Sequence, residues 1–170
     1  MFVSICGHTD CDSVLAAFLY LPEPPYLVIF IWLFFLGPGW LSVDHWILCR
    51  HRCAQEIAAA FHHFDGTRIN IVSFVVMPNH VHALFAPMHE WPLEKIVHSW
   101  KRQSAVRINR LTDSTGALWQ RDYFDRLVRN EQHFARCVRY IRSNPEKARL
   151  RPGEYILYES DIARAVGEAV

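Results

Sequence analysis

The stretch Val75-Val76-Met77-Pro78-Asn79-His80-Val81-His82-Ala83-Leu84-Phe85 decides how this chain is read. β-branched and aromatic residues stand on both sides of Pro78-Asn79, a pair that favours a tight turn. The pattern predicts a hairpin, with one strand over Arg68–Met77 and a returning strand over His80–Ala86, ended by Pro87. Side chains two apart on a strand point the same way. His80 and His82 therefore project from one face and Val81 from the other. In isolation, two surface histidines on a strand are the simpler reading. Held side by side on a rigid strand, they also make half of a metal site.

Upstream, Cys53 to Phe64 reads as an amphipathic helix, because Ile57, Ala58, Phe61 and Phe64 share a face, and Asp65-Gly66 stops it. Downstream, Leu93–Leu111 carries Ile96, Val97, Trp100, Ala105, Ile108 and Leu111 at helical spacing. Ala117–Val128 reads as a further strand, with a bulge allowed. Glu131–Ser143 reads as a second long helix, with Asn144-Pro145 marking its end or a break. The remainder, through Tyr155 and Tyr158, is expected to be a short packing tail. With one strand from the N-terminal region, the order is βαββαβ followed by a helix. The expected fold class is α+β: a ferredoxin-like antiparallel sheet with helices on one face and a further C-terminal helix.

The N-terminal region offers two candidates for that first strand, Phe2–Cys6 and the apolar run Tyr26–Leu36, which Gly37-Pro38-Gly39 closes. The run is too short for a bilayer span of about 20 residues, and no positive region precedes it as in a signal peptide. A buried strand or core segment is expected there, and no membrane association. The division anticipated is an apolar segment over 1–45, a catalytic domain over 46–158 and a tail over 159–170. The five cysteines, Cys6, Cys11, Cys49, Cys53 and Cys137, have neither regular spacing nor a C-x-x-C pair. This excludes a disulfide framework or standard zinc finger as the ordinary reading, and reduced thiols in the cytoplasm are expected.

Net charge is +1, yet residues 1–94 sum to −5, 95–151 to +9 and 152–170 to −3. A basic segment inside a near-neutral chain points to a polyanionic partner. Lys101, Arg102, Arg107, Arg121, Arg126, Arg129, Arg136, Arg139 and Arg142 are the candidate phosphate contacts. Trp100 and Trp119 are candidates for stacking on unpaired bases, although burial in the core is their commoner fate.

Tyr140 and Asn144 lie four apart on the second helix, hence on one side of it. A phenol is a poor nucleophile at neutral pH, because its pKa is near 10. Cations and a metal make it usable. An amide oxygen from Asn144 can join two imidazoles around a divalent ion and leave positions open for phosphate oxygens. Tyr140 would then attack phosphorus and hold the strand covalently. Tyr123 is the competing tyrosine, but no amide follows it at helical spacing.

From about His63 to Tyr158 the chain resembles the REP-associated tyrosine transposases, relatives of the single-tyrosine (IS200-like) HUH transposases. The resemblance is carried by His63-Phe64-Asp65-Gly66, by Val75 to His82, and by His98-Ser99-Trp100-Lys101. It continues in Leu118-Trp119-Gln120-Arg121-Asp122-Tyr123-Phe124-Asp125, Tyr140-Ile141-Arg142-Ser143-Asn144-Pro145, and Arg151-Pro152-Gly153-Glu154-Tyr155. It implies a metal-dependent endonuclease and strand transferase acting on single-stranded or hairpin DNA, including REP-like palindromes, as a monomer or homodimer. It implies a 5′-phosphotyrosine intermediate and a free 3′-OH. Tyr140 would be the nucleophile, His80, His82 and Asn144 the ligands, and Mg²⁺ or Mn²⁺ the ion. Phe2–Cys6 is a weak echo of the family's opening strand, and a glycine common after Asn-Pro-x-x-Ala stands here as Arg149. A catalytically impaired DNA-binding remnant is the alternative.

Overall fold

The structure is a computed structural model that describes residues 27–32, 43–88 and 91–168. The apolar run supplies β1 (Leu27–Trp32), and α1 runs over Val43–Phe64. The hairpin is β2 (Ile69–Val76) and β3 (His80–Pro87). Then follow α2 (Leu93–Thr112), β4 (Phe124–Leu127), α3 (Glu131–Lys147), β5 (Ile156–Glu159) and α4 (Asp161–Glu168).

The strand order is β4-β1-β3-β2-β5, and every pairing is antiparallel. The first four positions are the arrangement a βαββαβ chain makes when its opening strand inserts between the hairpin's second arm and the last strand of the repeat. β1 lies between β3 and β4, with Phe30 opposite His82 and Trp32 opposite His80. The expected first strand is therefore in Tyr26–Leu36 and stands beside the histidines. The other candidate, Phe2–Cys6, lies outside the described residues.

The sheet separates two cores. On one face, α1 and α2 bring Ile57, Phe61, Ile96, Val97 and Trp100 against Phe74, Val76, Val81, Ala83 and Phe85. On the other, α3 and α4 bring Phe134, Val138, Ile141, Ala163 and Val166 against Val72, Val75, Met77 and Leu84. The pairing register slips between Ile71 and Ser73. One extra residue there exchanges the faces. Ile71 and Phe74 consequently share the α1/α2 face although their spacing is odd. Gly66, at φ +70°, makes the turn from α1 into β2.

Three expectations are corrected. The strand expected over Ala117–Val128 is only Phe124–Leu127, because residues before it are held by side chains instead of a ladder. Lys101 Nζ donates to the carbonyls of Gln120, Arg121 and Asp122 at 2.8, 3.1 and 3.4 Å, and Trp119 Nε1 donates to Ser104 Oγ at 2.9 Å. The helix expected to stop at Asn144-Pro145 continues to Lys147. Pro145 lacks the N–H that would reach Ile141, a single lost bond in the last turn. Past it, Ala148 N–H bonds Asn144 O at 3.0 Å, Arg149 N–H bonds Glu146 O at 2.8 Å and Leu150 N–H bonds Pro145 O at 2.9 Å. The last two bonds form a Schellman stop. The expected packing tail instead contains β5 and α4. Arg142 ties α3 to β5 through Glu159, with Nε–Oε1 at 2.8 Å and Nη2–Oε2 at 3.1 Å. Among the described residues no helix is long and apolar enough to cross a membrane.

Candidate active site

Strand alternation puts Val81, Ala83 and Phe85 into the α1/α2 core, which leaves His80 and His82 on the face covered by α3. Their rings lie 4.7 Å apart between centroids. His82 is 3% exposed, and burial, with the neighbouring His80, pushes its pKa down to about 3. His80 is half-buried, burial lowers its pKa, and its Nδ1 lies 2.7 Å from Asn79 Oδ1. Both imidazoles are thus held neutral near pH 7, the form that offers a lone pair to a metal.

α3 covers them because Phe134, Val138 and Ile141 form its buried stripe, while the Asn130 side chain caps its start by accepting from His133 N–H at 2.8 Å. Tyr140 sits at the edge of that stripe, 42% exposed. Its ring centroid lies 5.3 Å from that of His82, with planes at 73°. Tyr140 is therefore both open to solvent and in ring contact with His82. One turn on, Asn144 is buried at 8% exposure. Among the described residues no three His, Cys, Asp or Glu side chains gather as a metal site. The Asn144 amide is a neutral oxygen donor one turn from Tyr140 on the same helix. Two neutral imidazoles and an amide oxygen suit a divalent ion that must keep open positions.

Tyr123 belongs elsewhere. It packs against the α1/α2 core, on the opposite side of the sheet from His82, with Lys101 Nζ 5.3 Å from its ring centroid. Burial, with Asp125 and Glu94 nearby, raises its pKa. Trp100 is core, packed on Phe61 and Phe85 at 4.4 and 4.9 Å, and Trp119 is half-buried beside it.

The basic set divides. Lys101 is committed to the three carbonyls, Arg107 pairs with Glu56 at 3.3 Å, and Arg142 pairs with Glu159. Arg102, Arg121, Arg126, Arg129, Arg136 and Arg139 are exposed. Three of these gather from separate elements around His133. Burial lowers its pKa first, and the charges of Arg136, Arg126 and Arg129 lower it further. Arg126 and Phe124 also share the sheet face of His82, since Phe124 pairs with Phe30, which pairs with His82. A cluster assembled from β4, the following loop and α3 is invisible in linear spacing. The sequence reading also passed over Lys147, whose Nζ lies 5.3 Å from the Tyr140 ring centroid. Its offset of seven from Tyr140, close to two turns, is the signal that would have found it.

The family model described as transposase, IS200-like, matches residues 47–144, more than half of the chain. A solved structure of a REP-associated tyrosine transposase bound to a REP hairpin is similar with a TM-score of 0.50 and 17% identity, over 84% of this chain and 90% of that one. A crystal structure of a candidate transposase from Deinococcus radiodurans R1 is similar with a TM-score of 0.39 and 20% identity, over 73% of this chain and 92% of that one. No curated protein matches.

Proposed function

The chain belongs to the family of IS200-like transposases, and we propose that it acts as a metal-dependent endonuclease and strand transferase on single-stranded or hairpin DNA. The observation that carries this reading is the approach of the Tyr140 and His82 rings to 5.3 Å, with His80 beside them. A nucleophile candidate and a neutral imidazole pair converge from a helix and a strand at a solvent-facing rim.

His80, His82 and Asn144 would hold Mg²⁺ or Mn²⁺. When bound, such an ion supplies Lewis-acid polarisation of the phosphodiester. Tyr140 Oη attacks phosphorus and loses its proton to solvent. The bond from phosphorus to the 3′-oxygen breaks, and that oxygen leaves as a 3′-OH after taking up a proton. The downstream strand stays on the enzyme as a 5′-phosphotyrosine, which a second 3′-OH can attack to complete strand transfer. The exposed arginines, above all Arg126, Arg129 and Arg136, hold the strand by its phosphates. Hairpin DNA is carried to this chain from the fold relative that was bound to a REP hairpin.

The test is incubation with a library of labelled hairpin oligonucleotides bearing random single-stranded flanks, in Mn²⁺. The expected result is a denaturation-resistant protein–DNA adduct that disappears with chelator and in Tyr140→Phe. Binding without an adduct at any flank would contradict the catalytic reading.

A further inference from the structure

Arg142 is turned away to Glu159 and to the Ala163 carbonyl. Lys147 instead lays its ammonium against the Tyr140 ring, 5.3 Å from the centroid. Tyr140, Asn144 and Lys147 fall on one stripe of α3, at offsets of one and two turns. Lys147 is exposed, and among the described residues no carboxylate pairs with it. The Schellman stop spans Pro145 to Leu150, so the turn that carries Lys147 is held in place by it.

We infer that Lys147 is a catalytic residue of this site, its ammonium holding a non-bridging oxygen of the phosphate that Tyr140 attacks. The inference rests on Tyr140 being the nucleophile. As the Oη–P bond forms and the P–O3′ bond breaks, negative charge shifts over the phosphate oxygens. A cation fixed at that point stabilises the transition state more than the bound substrate. Arg142 is already paired with Glu159, and Lys147 lies with its ammonium against the Tyr140 ring. The phenol proton and the proton taken up by the 3′-oxygen are exchanged with solvent, and Lys147 keeps its own throughout.

The experiment uses an oligonucleotide that the wild-type protein is found to cleave, and measures the single-turnover rate of adduct formation in Mn²⁺. Lys147→Gln is expected to slow it about 100-fold, with Lys147→Arg recovering much of the loss. In a Tyr140→Phe background, Lys147→Gln should change affinity for the same oligonucleotide by no more than about threefold, because the interaction is made chiefly in the transition state. With each of the two methylphosphonate diastereomers at the scissile position, the slowing by Lys147→Gln should vanish in the one whose methyl group replaces the oxygen that Lys147 holds and persist in the other. A purely structural role for Lys147 predicts the same slowing on both diastereomers, and that result would overturn the inference. So would an unchanged rate on the phosphodiester. Absence of any adduct with wild type, or its persistence in Tyr140→Phe, overturns the proposed function itself and takes this inference with it.

Discussion

Arg149 stands at φ +56°, in the left-handed region, at the position where α3 stops. It is the C′ residue of the Schellman motif, since its N–H bonds Glu146 O and the next N–H bonds Pro145 O. Glycine is the usual occupant, because a Cβ in this conformation crowds the following carbonyl at a cost of about 1–2 kcal/mol. Against this, glycine gains freedom in the unfolded chain, worth about 0.4–1 kcal/mol. Arg149→Gly should therefore stabilise the protein by about 0.5–1 kcal/mol, and for a chain of this size raise Tm by about 1–4 °C. Arg149→Ala controls for the loss of one charge from a basic segment while keeping the Cβ, and its Tm should stay within about 1 °C of wild type. Thermal melts followed by circular dichroism read both. A lower Tm for Arg149→Gly, or equal gains for glycine and alanine, would refute the reasoning, the second by making the effect one of charge. Stiffening this stop matters beyond stability, because Asn144 and Lys147 sit in the turn it closes.

Lys101→Ala removes a cation that organises three carbonyls, and should cost about 1.5–3 kcal/mol of stability in urea unfolding while leaving the salt dependence of DNA binding unchanged. Arg126→Ala, Arg129→Ala and Arg136→Ala should behave in the opposite way, each reducing the slope of log affinity against log salt on single-stranded DNA by about 0.7 at little cost in stability. In metal-free protein, His82 keeps a folded pKa of about 3 against an ordinary 6.5. The stability tied to its neutrality is thus complete above pH 6.5 and lost as pH falls towards 3. Urea unfolding in chelator should show stability dropping by about 1.4 kcal/mol per pH unit below pH 6 from this group, and His82→Gln should remove that part of the slope.

The hairpin, both long helices and the pairing of His80 with His82 on one face were legible because they rest on local periodicity. So was the offset of four from Tyr140 to Asn144. Three features were not. The extent of β4 depends on Lys101, which reaches across from another element to take the carbonyls a strand would have used. The continuation of α3 through Pro145 depends on a Schellman stop built around a non-glycine residue. The division of the basic residues depends on partners far along the chain: Glu56 for Arg107 and Glu159 for Arg142. Composition counts these charges but cannot say which are already paired. The same limit hid Lys147, which reads as one more surface lysine until the helix is drawn through to it. The apolar run over Tyr26–Leu36, expected as a buried strand or core segment, contains β1, paired on both sides.

The most direct measurement is to find the residue that carries the nucleotide. Wild-type protein is reacted with a cleavable hairpin oligonucleotide in Mn²⁺, the DNA is trimmed by nuclease, and the tryptic peptides are sequenced by mass spectrometry. The account predicts the phosphonucleotide on the peptide Tyr140-Ile141-Arg142. Its appearance on the peptide from Asp122 to Arg126, which holds Tyr123 on the far side of the sheet, would contradict the account.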